Sequence, residues 1–250
     1  VVKYLQPAFD KENKKSKSAP YSGTLSKEQV EKILQRSVKQ SERYRVMKEY
    51  GATNEEIKKV FSTPTEMTIF TYSGERDTIM SPLDSIRHYK SFLRCGFLSM
   101  DPKNGAVKAY VGGTNFIHFN YDMCMEGKRQ VGSTIKPFLY SLAMQEGMTP
   151  CDQVLNIPTT FTVGKGTWTP RTTDRAEWIG KTVTLKWGLT HSSNNISAYL
   201  MKQYGPHAMI RMMRKLGIGT YLPDAPSLCV GTPEIKVFDM VAAYNTFPSQ

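Results

Sequence analysis

Hydrophobic positions along the chain recur at two different periods. From Ser26, the residues Val30, Ile33, Leu34 and Val38 return at helical spacing behind a capping-box start, Ser26-Lys27-Glu28-Gln29. The pattern predicts one helix reaching Tyr50, where Gly51 is a suitable stop. Thr53-Asn54-Glu55-Glu56 repeats the start signal for a short helix ending near Phe61, and TEMTIFTY (65–72) is β-branched and aromatic enough for an edge strand. Between these periodic runs, residues 10–24 are polar and rich in Lys and Ser, the composition of a mobile loop.

After residue 82 the texture changes. A helix over 82–93 is followed by two β-like runs, 97–100 and 106–111, separated by Asp-Pro-Lys-Asn-Gly, which predicts an antiparallel hairpin. The apolar run STIKPFLYSLAM, bounded by Gly132 and Gly147, predicts a buried helix, and helical patterns recur at 183–190, 195–204, 206–216 and 234–247. One hairpin followed by many helices implies an α+β architecture, a sheet packed on a helical layer.

Composition narrows the function classes. The chain has 250 residues, 40% hydrophobic, with a net charge of +11. The basic excess is spread evenly, with 14 Lys/Arg against 8 Asp/Glu in residues 1–60 and 19 against 14 beyond. Such a field suits an anionic surface or polymer without defining a site. No aromatic-plus-basic motif or metal-finger spacing points to nucleic acid, and no run of apolar residues is long enough to span a membrane. Cys95, Cys124, Cys151 and Cys229 contain no CxxC pair, so neither a metal site nor a disulfide framework is required. The settings FLRCGFLSM and SLCVGT read as small buried core cysteines, and Met209, Met212 and Met213 as core packing.

The chemistry concentrates in GKRQVGSTIKPFLYSLAM. Ser133 and Lys136 stand three apart at the start of the predicted helix, so they share a face. A helix amino-terminus favours negative charge on Ser133 Oγ and offers unpaired amides to an oxyanion. Ile135, Phe138 and Leu139 would desolvate Lys136, leaving a neutral amine able to take the serine proton. Gly127 to Thr134 resembles a phosphate-binding loop, but the lysine required after the second glycine is missing, which rejects that reading. A second element, GLTHSSNNISAYL, places Ser192 and Asn194 in a polar break between two apolar runs, where a hydroxyl and an amide face a cleft. Ser193-Asn194-Asn195 fits the same Ser-x-Asn spacing, and helix capping alone would also explain these residues. His191 has no carboxylate spaced to orient it and reads as a surface or cap residue.

RQVGSTIKPF followed by GLTHSSNNISAYLM resembles the transpeptidase domain of class A (bifunctional) penicillin-binding proteins. FLSMDPKNGAVKAYVGG is similar to that family's opening hairpin, FNYDMCMEGKRQVGST to its approach to the nucleophile, and LCVGTPEIKVFDMVAAYNTF to a later helix. The resemblance implies the penicillin-binding-protein/serine β-lactamase-like fold, with residues 1–60 as an inserted helical framework and 61–250 as the transpeptidase core. It implies Ser133 as nucleophile on a D-Ala-D-Ala carbonyl, Lys136 as general base, Ser192 as proton relay, and Asn194 as the residue orienting Lys136 and the substrate amide. The implied partners are peptidoglycan stem peptides and β-lactams, without nucleic acid, metal or cofactor. The implied place is the cell envelope, on the outer face of the cytoplasmic membrane, with anchoring only through an N-terminal part this chain lacks.

The match departs from the family at three points. The Lys-Thr-Gly strand motif is absent, the family's glycosyltransferase domain is absent, and Arg171 stands close to where the family often has Asn. These departures predict a piece of a longer protein, lacking its C-terminal strands and acylating weakly or not at all by itself. Two rivals remain: a serine β-lactamase, for which no second carboxylate motif near Ser133 is visible, and a non-catalytic basic module binding cell-wall polymer.

Overall fold

The computed structural model describes residues 2–15 and 19–248. Its chain separates into two compact units, Val1–Cys95 and Gly96–Gln250. The boundary therefore lies after Cys95, not after residue 60 where the sequence reading placed it. The reason is packing: Val38, Ile57 and Phe61 form a small core with Leu83 and Ile86, which joins residues beyond 60 to the helices before it.

The first unit contains α1 (Val2–Asn13), α2 (Lys27–Gln40), α3 (Glu42–Glu49), α4 (Asn54–Ser62), the hairpin β1 (Thr65–Thr71) and β2 (Gly74–Met80), and α5 (Pro82–Lys90). Both predicted capping boxes form, Ser26 with Gln29 and Thr53 with Glu56. The single helix expected to reach Tyr50 is broken at Ser41, which is extended and whose Oγ accepts from Tyr44 N, restarting the helix as α3. The loop expected over 10–24 begins later, because α1 continues to Asn13; residues 16–18 of that stretch lie outside the described residues.

In the second unit, β3 (Phe97–Met100) and β4 (Val107–Val111) form the predicted hairpin. Asp101 accepts from Lys103 N and Gly105 N across its turn, and Gly105 has the left-handed backbone the turn needs. A 3₁₀ turn (Gly132–Ile135) runs into α6 (Lys136–Gln145). Short ladders follow: β6 (Gln153–Leu155) with β9 (Thr182–Thr184), β7 (Phe161–Val163) with β8 (Gly166–Trp168), and β5 (Lys128–Gln130) with β10 (Glu234–Lys236). α7 (Leu185–Thr190), α8 (Asn194–Lys215) and α9 (Val237–Asn245) complete the helical layer, with α8 kinked at Gly205-Pro206 where the sequence separates two runs. The helical patterns at 183–190 and 234–247 thus start later than their periodicity suggests, since their first residues pair as β9 and β10.

The core of this unit is built on α6 and α8: Phe138, Leu139, Ala198, Leu200, Met209 and Met213 are fully buried. The methionines pack as the sequence implies. The cysteines divide, Cys124 and Cys229 being buried while Cys95, read as a core residue, is exposed at the end of the first unit. The described residues are α+β in content, as expected.

Candidate active site

Ser133 sits on the 3₁₀ turn and Lys136 is the first residue of α6, so the two do not share an α-helical turn as predicted. The consequence for alignment is small, because residues three apart eclipse in a 3₁₀ helix. Lys136 N–H donates to Ser133 O, closing that turn. The turn is held from outside by a backbone ladder that continues past β5–β10. Val131 N donates to Pro233 O at 3.1 Å and Gly132 N to Gly231 O at 3.0 Å. Gly231 has φ +77°, and a Cβ there would fall 1.8 Å from Gly132 O, so only glycine fits. Tyr244 of α9 adds a brace, its hydroxyl donating to Thr134 O at 2.5 Å.

Ser133 is exposed, whereas Lys136 is 1% exposed, with no ion pair among the described residues. Its Nζ makes three hydrogen bonds, all to the polar break between α7 and α8: Ser192 O at 2.5 Å, Asn194 Oδ1 at 2.7 Å and Ser192 Oγ at 3.1 Å. Ser192 has φ +54°, the one positive φ outside glycine among the described residues, in the left-handed region that β-carbons disfavour. This register decides between the two Ser-x-Asn readings. Ser192 and Asn194 meet the lysine, while Ser193 caps α8 and Asn195 is buried, donating to Asn156 Oδ1 at 2.8 Å.

Burial pulls the Lys136 pKa down from 10.5 to about 8, opposed by Cys229 and Asp174. Cys229 is itself pushed up to about 12 by burial, so near neutral pH it is an uncharged thiol. Asp174 is then the negative charge that opposes burial. Asp174 accepts from Ser193 Oγ at 2.7 Å, and Arg171 O accepts from Asn194 Nδ2 at 2.8 Å. Arg171 thus takes part through its backbone. His191 ends α7, stacked on Trp187 with centroids 4.3 Å apart, a cap role as expected.

Sequence reasoning missed Gly231 and Asp174, and read Cys229 as a buried core residue, which it is, without its effect on Lys136. Gly231 carried a faint signal, a glycine before Thr-Pro, but its partner lies 99 positions earlier. Asp174 lies in a loop without periodicity.

The turn carrying Ser133 thus leads directly into the helix whose first residue, Lys136, is a buried amine bonded to a second serine and an amide. Comparison with known proteins gives the lineage. The family described as penicillin binding protein transpeptidase domain matches residues 95–231, and the penicillin-binding protein middle domain matches 16–93. The chain belongs to the penicillin-binding protein transpeptidase family. It is similar to penicillin-binding protein 1A of Neisseria meningitidis, 34% identical over 160 residues covering 62% of this chain and 20% of the relative. It is also similar to penicillin-binding protein 2D of Bacillus subtilis, 32% identical over 155 residues, 62% of this chain and 22% of the relative. The crystal structure of penicillin-binding protein 1A from Haemophilus influenzae superposes with TM-score 0.57 at 26% identity, covering 62% of this chain and 23% of that one. The chain spans about a fifth of the length of the curated relatives it matches.

Proposed function

We propose that this chain carries the transpeptidase chemistry of a longer, bifunctional penicillin-binding protein that also polymerises glycan, working in the cell envelope on the outer face of the cytoplasmic membrane and anchored through a part outside this chain. Its substrate is the D-Ala-D-Ala end of a peptidoglycan stem peptide, and β-lactams occupy the same site. The observation that carries the reading is the convergence on one buried amine: Lys136 Nζ bonds residues 56 and 58 positions away, joining Ser-x-x-Lys to Ser-x-Asn.

The donor inventory around Nζ supports the following roles. Ser192 O and Asn194 Oδ1 can only accept, so a neutral Lys136 gives them its two N–H groups. Its lone pair then faces Ser192 Oγ, which acts as the hydroxyl passing a proton between Ser133 and Nζ. Ser133 Oγ attacks the penultimate D-alanine carbonyl, its proton goes to Lys136, and the terminal D-alanine leaves with a proton returned from Nζ. An amine of a neighbouring strand then attacks the ester, giving its proton to the now neutral Lys136, which returns it to the departing Ser133 Oγ, so the new amide forms and Ser133 is regenerated. With a pKa of about 8, roughly a tenth of Lys136 is neutral at pH 7, against a few parts in ten thousand for a solvated lysine.

The test is a peptide map of the full-length protein after a fluorescent penicillin. The expected result is a stable adduct on the peptide holding Ser133, absent in Ser133→Ala. Labelling that survives in Ser133→Ala, or repeated hydrolysis without a lasting adduct, overturns the reading, the latter in favour of a β-lactamase.

A further inference from the structure

The loop at 171–174 is bound to the Ser192–Asn194 region at two points, and neither bond belongs to the catalytic roles given above. Asn194 presents its Oδ1 to Lys136 and its Nδ2 to Arg171 O, so the amide is fixed at both ends and its orientation is set by the loop. Ser193, buried at 0% exposure, places its Oγ on Asp174 Oδ2. That same Oγ accepts from Ile196 N as the cap of α8. Asp174, through one hydroxyl, therefore grips the cap residue of α8, and the residue before that cap, Ser192, is held at φ +54°.

That arrangement resists relaxation. A non-glycine residue in the left-handed region costs about 1–2 kcal/mol, and nothing in the local sequence of Ser192 and Ser193 favours it. The strained backbone turns Ser192 O toward Lys136, and it persists because its neighbours are pinned. From this geometry we infer that Asp174 is a positioning residue, the anchor of a clasp at 171–174 that holds Ser192 and Asn194 against Lys136. The inference rests on the transpeptidase reading for its effect on rate. The clasp itself is a structural claim testable without any turnover.

Two properties of Asp174 separate by substitution. Asp174→Asn keeps an acceptor for Ser193 Oγ but removes the charge, and Ser193→Ala keeps the charge but removes the bond. Asp174→Ala removes both. In hydrogen-exchange mass spectrometry of the full-length protein, amides at 190–196 are expected to exchange faster in Ser193→Ala and Asp174→Ala and at the wild-type rate in Asp174→Asn. Penicillin acylation is expected to fall about tenfold or more in Asp174→Ala, the scale of effect that misplacement of reacting groups produces. Ser193→Thr, which retains the hydroxyl, restores it relative to Ser193→Ala. In Asp174→Asn the midpoint of the acylation pH profile shifts downward, because the negative charge facing Lys136 is gone. Wild-type exchange at 190–196 in both Asp174→Ala and Ser193→Ala overturns the clasp, and so does faster exchange there in Asp174→Asn, which keeps the bond; an unmoved midpoint in Asp174→Asn overturns only the electrostatic part. A protein whose wild type takes no penicillin refutes the transpeptidase reading instead, while the exchange measurement still decides the clasp.

Discussion

Two turns carry the four candidate residues, and they are held in opposite ways. The turn bearing Ser133 is fixed by backbone: residues 128–132 run antiparallel to 231–236, and the contact is so close that a Cβ on Gly231 would run into Gly132. The region bearing Ser192 and Asn194 is fixed by side chains, through Lys136, Asp174 and the carbonyl of Arg171. A backbone ladder tolerates most side chains and depends on glycine geometry. A polar network depends on each of its members, since a buried group that loses its partner keeps its desolvation penalty. Ser133 is therefore held largely independently of its neighbours' side chains, whereas Ser192 and Asn194 are held only as long as Lys136, Asp174 and Ser193 all keep their bonds.

The difference can be broken at either end. The largest effect belongs to Lys136→Met, which removes the proposed base while filling the same buried space. Acylation by a fluorescent penicillin should fall about 10²–10⁴-fold in stopped-flow measurements, the usual contribution of a positioned base. Next is Gly231→Ala, which combines a left-handed backbone with a Cβ 1.8 Å from Gly132 O. It should lower unfolding free energy in denaturant titration by about 3 kcal/mol and slow acylation about tenfold or more by displacing Ser133. Gly132→Ala, at φ +53° but with nothing within 4 Å of the new Cβ, should cost only about 1 kcal/mol. Equal losses in the two variants would show that strain, not close approach, governs this turn. The smallest effect is on the other side: Ser192→Gly relieves a positive φ and should raise stability by about 0.5–1 kcal/mol. It removes the relay hydroxyl at the same time, so stability and acylation should move in opposite directions. A variant that is less stable than wild type would show that the Ser192 side chain holds the turn.

What the sequence discloses and what it hides follow the same division. The Ser-x-x-Lys and Ser-x-Asn patterns were legible because each spans at most four residues, whereas the meeting of Lys136 with Ser192 and Asn194 joins positions 56 and 58 apart and was reachable only through the family resemblance. The hairpin at 97–111 was legible because its turn residues encode the reversal. β5 and β10 were not, being three-residue strands paired across more than a hundred positions, with no local period to reveal them. The break at Ser41 was hidden because a serine inside a polar helix face and a serine capping a new helix look alike until the backbone is seen. Cys95 looked like a core residue because its neighbours are apolar, yet it ends a compact unit and is exposed. The end of the first unit was misplaced for the related reason that Leu83 and Ile86 pack backward onto α2 and α4.

The central claim is that Lys136 acts as a neutral amine because burial lowers its pKa. The sign is fixed: the unprotonated form is the active one, and its fraction grows as pH rises. The most direct measurement is the acylation rate of Ser133 in the full-length wild-type protein from pH 6 to 10. The account predicts a rate rising about tenfold per pH unit at the acid end and levelling through a midpoint of about 8. A rate that is flat across this range, or that climbs to a midpoint near 10.5 as for a solvated lysine, would contradict it.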